Sequence, residues 1–201
     1  MKCIVGLGNP GNRYRFSRHN IGFLVAEMLS DKIKSQPFES NELYECNKGL
    51  VGDCDVLIVQ PQTYMNNSGT AVRELKQKYE IGFDDFMIVF DDFQLPYGTL
   101  RMRTKGSDGG HNGMASVIYH LQSDLIPRLR IGVAGRSIPE QHTHDAMADY
   151  VLARFEPDEE KLLPQLLQHT TDVLICWVNE GIAKTMSVYN KNFFTPGNSA
   201  G

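Results

Sequence analysis

The sequence lacks most of the signatures that fix a function at sight. Its four cysteines, Cys3, Cys46, Cys54 and Cys176, form no CxxC pair. Neither a zinc knuckle nor a disulfide framework is therefore expected, and the thiols read as reduced ones in a cytoplasmic protein. No apolar run approaches the roughly 18 residues of a membrane helix. Met1-Lys2 leads straight into an apolar strand, so no signal peptide is expected. No Gly-x-Ser-x-Gly elbow offers a serine nucleophile, and no cysteine sits in a glycine-rich turn with histidine nearby. Internal repeats and low-complexity tracts are missing. Net charge is only −4, which argues against coating nucleic acid by bulk charge while leaving room for a local basic face.

What remains is the composition of an ordinary globular chain, 41% hydrophobic and 22% charged over 201 residues. Strands and helices alternate along it. Lys2–Val5 reads as a buried strand, followed by the glycine-rich Gly6–Gly11. A helix is expected over 20–34, from the spacing of Ile21, Leu24, Val25, Met28 and Leu29, and Ser35-Gln36-Pro37 reads as its end. Leu43–Leu50 and Val56–Val59 read as two strands paired across Gly52-Asp53. After a loop over 61–66, Asn67-Ser68 caps a helix reaching Tyr79. Phe86–Phe90 is continuously apolar, as in a strand buried on both faces, and delivers Asp91 and Asp92 at its end. Gln94–Gly98 reads as a turn and Thr99–Arg103 as an edge strand. Further expectations are a glycine loop over 106–113, a helix over 114–121 and a strand over 129–133. Helices are expected over 145–152 and from Glu156 to about Asn179, and a frayed tail over 192–201. The pattern predicts an α/β fold: a single domain over 1–191 with a twisted, mostly parallel mixed sheet flanked by helices.

Chemistry is concentrated in three loops. Gly6-x-Gly8-x-x-Gly11 matches a dinucleotide fingerprint only in its glycines, because Pro10 and Asn12–Arg15 delay the helix that would meet a pyrophosphate. His142-x-His144 lies in a polar loop with no partner cluster. His19 and His111 differ, each flanked by asparagine and glycine that let a ligand approach closely. His19, Asn9, Asn66, His111 and Asn112, with Asp91 from a strand end, would supply a base, its orienter and neutral hydrogen-bonders. That set suits attack of water on a carbonyl. From Arg101 to Arg136 six basic residues face two acids, a local +4, which points to an anion on one surface.

Val5-Gly-Leu-Gly-Asn-Pro-Gly11, Arg18-His-Asn-Ile-Gly22, Tyr64-Met-Asn-Asn-Ser-Gly69, Asp91 within Val-Phe-Asp-Asp-Phe-Gln-Leu-Pro, Gly109-Gly-His-Asn-Gly113 and Arg128-Leu-Arg-Ile-Gly132 together resemble the bacterial-type peptidyl-tRNA hydrolases, in that family's order. The resemblance implies a monomeric enzyme that hydrolyses the ester between a peptide and tRNA and so recycles tRNA. It implies no metal and no organic cofactor. By that likeness His19 is the general base, Asp91 orients it, and Asn9 helps distinguish a blocked α-amino group. Asn66 and Asn112 hold peptide and tRNA end, Tyr14 and Tyr64 line the groove, and Met65 and His111 support it. Arg101, Arg103, Lys105 and Arg130 would contact phosphate. The chain departs from the family pattern at Gln94, Phe90 and Asp108, none of them a presumed catalytic position. A silent RNA- or protein-binding relative of the same fold is the alternative.

Overall fold

The computed structural model describes residues 1–141 and 143–194. Among these residues eight strands form one sheet: β1 (Lys2–Gly6), β2 (Gln36–Ser40), β3 (Tyr44–Val51), β4 (Cys54–Pro61), β5 (Phe86–Pro96), β6 (Thr99–Arg103), β7 (Arg128–Ala134) and β8 (Lys191–Asn192), in the order β2-β3-β4-β1-β5-β7-β6-β8. The centre, β4-β1-β5-β7, is parallel. Both margins are antiparallel. Among the described residues six α-helices accompany the sheet: α1 (Ile21–Lys32), α2 (Ser68–Lys78), α3 (Asn112–Leu121), α4 (His144–Leu152), α5 (Pro157–Glu180) and α6 (Ile182–Tyr189).

Alternation along the central strands divides the core. Ile4, Met87 and Val89 face one side, packed with Ile21, Val25 and Leu29 of α1 and Leu174 and Trp177 of α5. Cys3, Val5, Phe86 and Ile88 face the other, against Val72 and Leu75 of α2 and Met114 and Val117 of α3. The apolar run Phe86–Phe90 is thus buried on both faces, as its composition predicts. The helix α5 starts as its sequence does: Pro157 sits in the first turn, and Glu156 and Glu159 form a reciprocal capping box.

Three expectations are corrected. Gln36 and Pro37 do more than end a helix: they open β2, an exposed, polar edge strand, and an edge tolerates proline. Residues 94–96 continue β5 instead of turning, and Thr99–Arg103 is not the edge, because β8 pairs with Thr99 and Leu100. The tail does not fray from Asn192: its side chain bonds the Tyr97 carbonyl at 2.9 Å, and Phe193 and Phe194 pack on the core. The rest of that tail, 195–201, and His142 lie outside the described residues. Among the described residues no helix is long and apolar enough to cross a membrane.

Candidate active site

The position of His19 follows from a close approach of backbone. After β1 the chain loops through Leu7–Phe16 and enters a short 3₁₀ turn, Arg18–Asn20, that runs into α1. Gly22 of α1 lies directly on the end of β1. A Cβ there would stand 2.4 Å from the Leu7 carbonyl oxygen and 2.5 Å from that of Val89, so only glycine fits. This approach sets His19 against the carboxyl half of β5, where Asp91 is 2% exposed.

His19 Nδ1 lies 2.8 Å from Asp91 Oδ1, and His111 Nε2 lies 3.1 Å from the same oxygen. His111 is also the N-cap of α3: its Nδ1 accepts the Met114 backbone N–H at 3.1 Å. Capping demands a lone pair on Nδ1, so Nε2 carries the proton and donates it to Asp91. His19 in turn donates from Nδ1, which leaves its Nε2 lone pair for the cleft. Burial alone would push the Asp91 carboxyl up, but the two histidines outweigh it and hold Asp91 well below the ordinary carboxylate range. Burial pushes the His111 imidazole down, against the pull of Asp91. Phe90 packs on His111 with ring centroids 4.6 Å apart, so its departure from the family pattern is a packing one.

Asn9 is clamped from two sides. Its Oδ1 accepts the Met65 backbone N–H at 2.8 Å. Its own backbone N–H and C=O pair with the side-chain amide of Asn20, both at 2.9 Å. With one lone pair of Oδ1 engaged by Met65, Asn9 keeps both Nδ2 donors for a ligand. Sequence reasoning misses Asn20 as a functional residue; its place directly after His19, with an uncharged two-sided amide, is the available signal. Tyr64, which leads into the turn carrying Met65 and Asn66, has φ 57°, a conformation unusual for tyrosine.

These groups converge on a cleft of about 560 Å³ at the carboxyl ends of the central strands, where open α/β sheets place their ligands. Asn9, Tyr14, His19, Tyr64, Met65, Asn66, Asp91, His111 and Asn112 all line it. The structure therefore brings together every expected member of the cleft. It adds an apolar wall from α4, formed by Met147, Ala148, Val151 and Leu152. Gln94 and Asp108 both brace the glycine loop: Gln94 Nε2 donates to the Gly109 carbonyl at 3.3 Å, and Asp108 accepts from the Gly110 N–H at 2.7 Å.

The expected basic residues lie outside the cleft lining. β6 and β7 pair Arg101 with Arg130 and Arg103 with Arg128, so the four share one face. The count of +4 overstates the surface charge, because Arg128 is 2% exposed and donates to the carbonyls of Gly106, Ser107, Asp124 and Ile126. It is an internal brace for the glycine loop. Arg130 gives its Nε to Asp92, which leaves its terminal nitrogens. Arg101 and Arg103 are partly exposed and Lys105 is exposed.

His19, Asp91 and His111 also form a cluster of metal-ligand types, with ligand atoms within 4.8 Å of one another. Its hydrogen bonds already engage most of these atoms: both histidines direct a ring nitrogen at Asp91 Oδ1 and His111 Nδ1 caps α3, so of the four imidazole nitrogens His19 Nε2 alone has no hydrogen bond among the described residues.

An imidazole held by a buried carboxylate at the edge of an open cleft that asparagines also line is the arrangement a water-activating hydrolase uses. The sequence model of the family described as "Peptidyl-tRNA hydrolase" matches residues 3–196. A peptidyl-tRNA hydrolase of Sulfurihydrogenibium sp. is 40% identical over 196 residues, covering 96% of this chain and 98% of its own. That of Chloroflexus aggregans is 44% identical over 191 residues, covering 94% and 99%. The solved structure of peptidyl-tRNA hydrolase from Acinetobacter baumannii superposes with a TM-score of 0.87 at 29% identity, covering 96% of this chain and 95% of that one. The chain belongs to the peptidyl-tRNA hydrolase family.

Proposed function

We propose that this protein hydrolyses the ester joining a peptide to the terminal ribose of tRNA, with His19 as general base. The reading rests on one observation above all, the Nδ1–Asp91 hydrogen bond that leaves His19 Nε2 open to the cleft. Nε2 takes a proton from water as the oxygen attacks the ester carbonyl carbon. The bond between the acyl carbon and the ribose oxygen then breaks, and the departing ribose oxygen takes the proton back from the imidazolium. Asp91 stabilises that imidazolium and fixes the ring's tautomer. The second donor on Asp91, from neutral His111, keeps the accepting oxygen aimed.

Asn9, Asn66 and Asn112 supply neutral donors for the peptide carbonyls and the developing oxyanion. The Met65 N–H fixes the orientation of the Asn9 amide, and that residue meets an acylated α-nitrogen through the acyl carbonyl, by donation from Nδ2. A free α-ammonium offers no such acceptor and brings a charge with its own desolvation cost. Tyr14, Tyr64 and Met65 shape the groove. Arg103, Lys105 and Arg130, with Arg101, present charge to the RNA phosphates on the β6–β7 face. The protein acts as a monomer in the cytoplasm.

The test is release of N-acetylated amino acid from charged tRNA by the purified protein, against the same tRNA carrying a free amine. Rapid release from the blocked substrate, with affinity that falls as salt rises, is expected. Binding of tRNA with no release would leave only a silent RNA-binding relative.

A further inference from the structure

A second cationic surface lies on a different part of the molecule from the β6–β7 face. Arg13, Tyr14, Arg15 and Phe16 follow one another in the loop that ends at His19. The Arg15 and Arg154 guanidinium carbons lie 5.6 and 5.2 Å from the centre of the Phe16 ring. That of Arg13 lies 5.4 Å from the ring of Tyr14. Phe16 is 45% exposed although its ring is large and apolar. Its neighbours explain this: it holds two guanidinium groups in place at the surface.

The arrangement is built, not incidental. Ser17 and Arg154 form an antiparallel bridge. Beneath them Arg18 is 1% exposed; its backbone N–H donates to the Ala153 carbonyl at 3.0 Å and its Nη1 to the Arg154 carbonyl at 2.6 Å. Glu159, 2.8 Å from Arg18 Nη2, neutralises the buried charge. The backbone that carries Arg15 and Phe16 is thereby locked to the backbone that carries Arg154. Above this lock the charge is in excess. Arg15 has one loose acidic neighbour, Glu27, at 3.5 Å, with both side chains largely exposed. Arg13 and Arg154 have no ion pair among the described residues. In a chain of net charge −4, three arginines interleaved with two aromatic rings are a local exception. Tyr14, within this stretch, and Leu152, two residues before Arg154, line the cleft itself.

We infer that Arg13, Arg15 and Arg154 form a rim site for the phosphates of the unpaired 3′ strand of tRNA as it enters the cleft. The inference rests on the hydrolase reading above and names an interaction that reading does not contain. An ester within reach of His19 brings the last nucleotides beside the loop that ends at His19. Guanidinium forks match phosphate oxygens, and rings interleaved with arginine suit an unstacked strand. The duplex part of the tRNA is left to the β6–β7 face.

The decisive comparison uses deacylated tRNA, intact or trimmed of its unpaired 3′ end. The double variant Arg13→Gln/Arg154→Gln should bind intact tRNA about fivefold more weakly. Its slope of log affinity against log salt should be shallower by about 0.7 for each single-strand phosphate no longer neutralised. Affinity for the trimmed tRNA should not change. Phe16→Leu, which keeps the charges but removes the ring that holds them, should show a smaller loss of the same pattern. Turnover of an N-acetylaminoacyl ester of adenosine, which has no phosphate, should be unaffected in both variants. Equal losses with intact and trimmed tRNA, or no loss with either, would overturn the inference. So would a loss that appears only when the attached peptide is acidic, since the rim would then read peptide. Because binding is measured without turnover, a wild-type protein that binds through this rim yet hydrolyses nothing would refute the hydrolase reading alone.

Discussion

Asp91 and Glu39 each gather more than one side-chain donor, but only Asp91 sits in the cleft. Asp91 accepts from His19 and His111 in the floor of the cleft. Glu39, on the edge strand β2, accepts from Lys78 at 2.6 Å, from Tyr44 at 3.0 Å and from Tyr79. Both are held below the ordinary carboxylate range, Glu39 at about 2 by its bonds to Lys78 and Tyr79. The difference lies in what the donors have left. An ammonium and two phenols complete their role at Glu39, where the cluster ties the end of α2 to β2. His19 has a second nitrogen, and the donation to Asp91 leaves this nitrogen a bare lone pair at the cleft. A shifted carboxyl with many partners therefore does not mark a site; a partner with an unused, correctly aimed atom does.

Substitutions on the two sides should separate cleanly. The largest effect belongs to His19→Ala, which should lower kcat by about 10²–10⁴-fold, the usual contribution of a general base, while tRNA affinity holds. Near-normal turnover in that variant would mean that the base lies elsewhere. Asn20→Ala comes next. It removes the amide that pins the Asn9 backbone, and misplacing a positioned donor should cost on the order of 10–100-fold in kcat/KM for N-blocked substrate. If Asn9 stays in register without that clamp, the rate will barely change.

The smallest effect is expected at Glu39. Its folded pKa lies below its ordinary one, so the stability it lends is complete above about pH 4.5 and is lost as pH falls towards about 2. Glu39→Gln should flatten acid unfolding in that window and destabilise the protein at neutral pH by at most about 1 kcal/mol, as for other surface pairs. Turnover at neutral pH should be that of the wild type. A fall in kcat would show that the β2 edge communicates with the cleft, and would blur the contrast between the two carboxylates.

Much of the site can be read from the chain because its parts lie on loops whose residue types have no packing explanation. Histidine and asparagine beside glycine, at the ends of apolar strands, point to chemistry three times over, and the structure brings those loops together. The α4 wall is not legible in the same way. Met147, Val151 and Leu152 look like any apolar helix face, and only the tertiary fold says that the face meets a cleft. Arg128 counts as surface charge in the sequence because its burial depends on carbonyls of Gly106 and Ser107, set by the turn of a distant loop. β2 escapes notice because an edge strand exposed on both faces has no alternation to detect. β8 is two residues long and owes its pairing to Asn192 reaching Tyr97 and Thr99.

In the proposed mechanism Asp91 makes His19 a base by fixing which nitrogen is free, and catalysis stands or falls on that bond. Asp91→Asn tests it most directly, since the side chain keeps its shape and loses its charge. The measurement is the single-turnover rate of ester cleavage on saturating N-acetylaminoacyl-tRNA, with tRNA affinity measured alongside. A fall of about 10²–10⁴-fold in the rate, with affinity unchanged, is the predicted result. A rate equal to that of the wild type, at equal affinity, would contradict it.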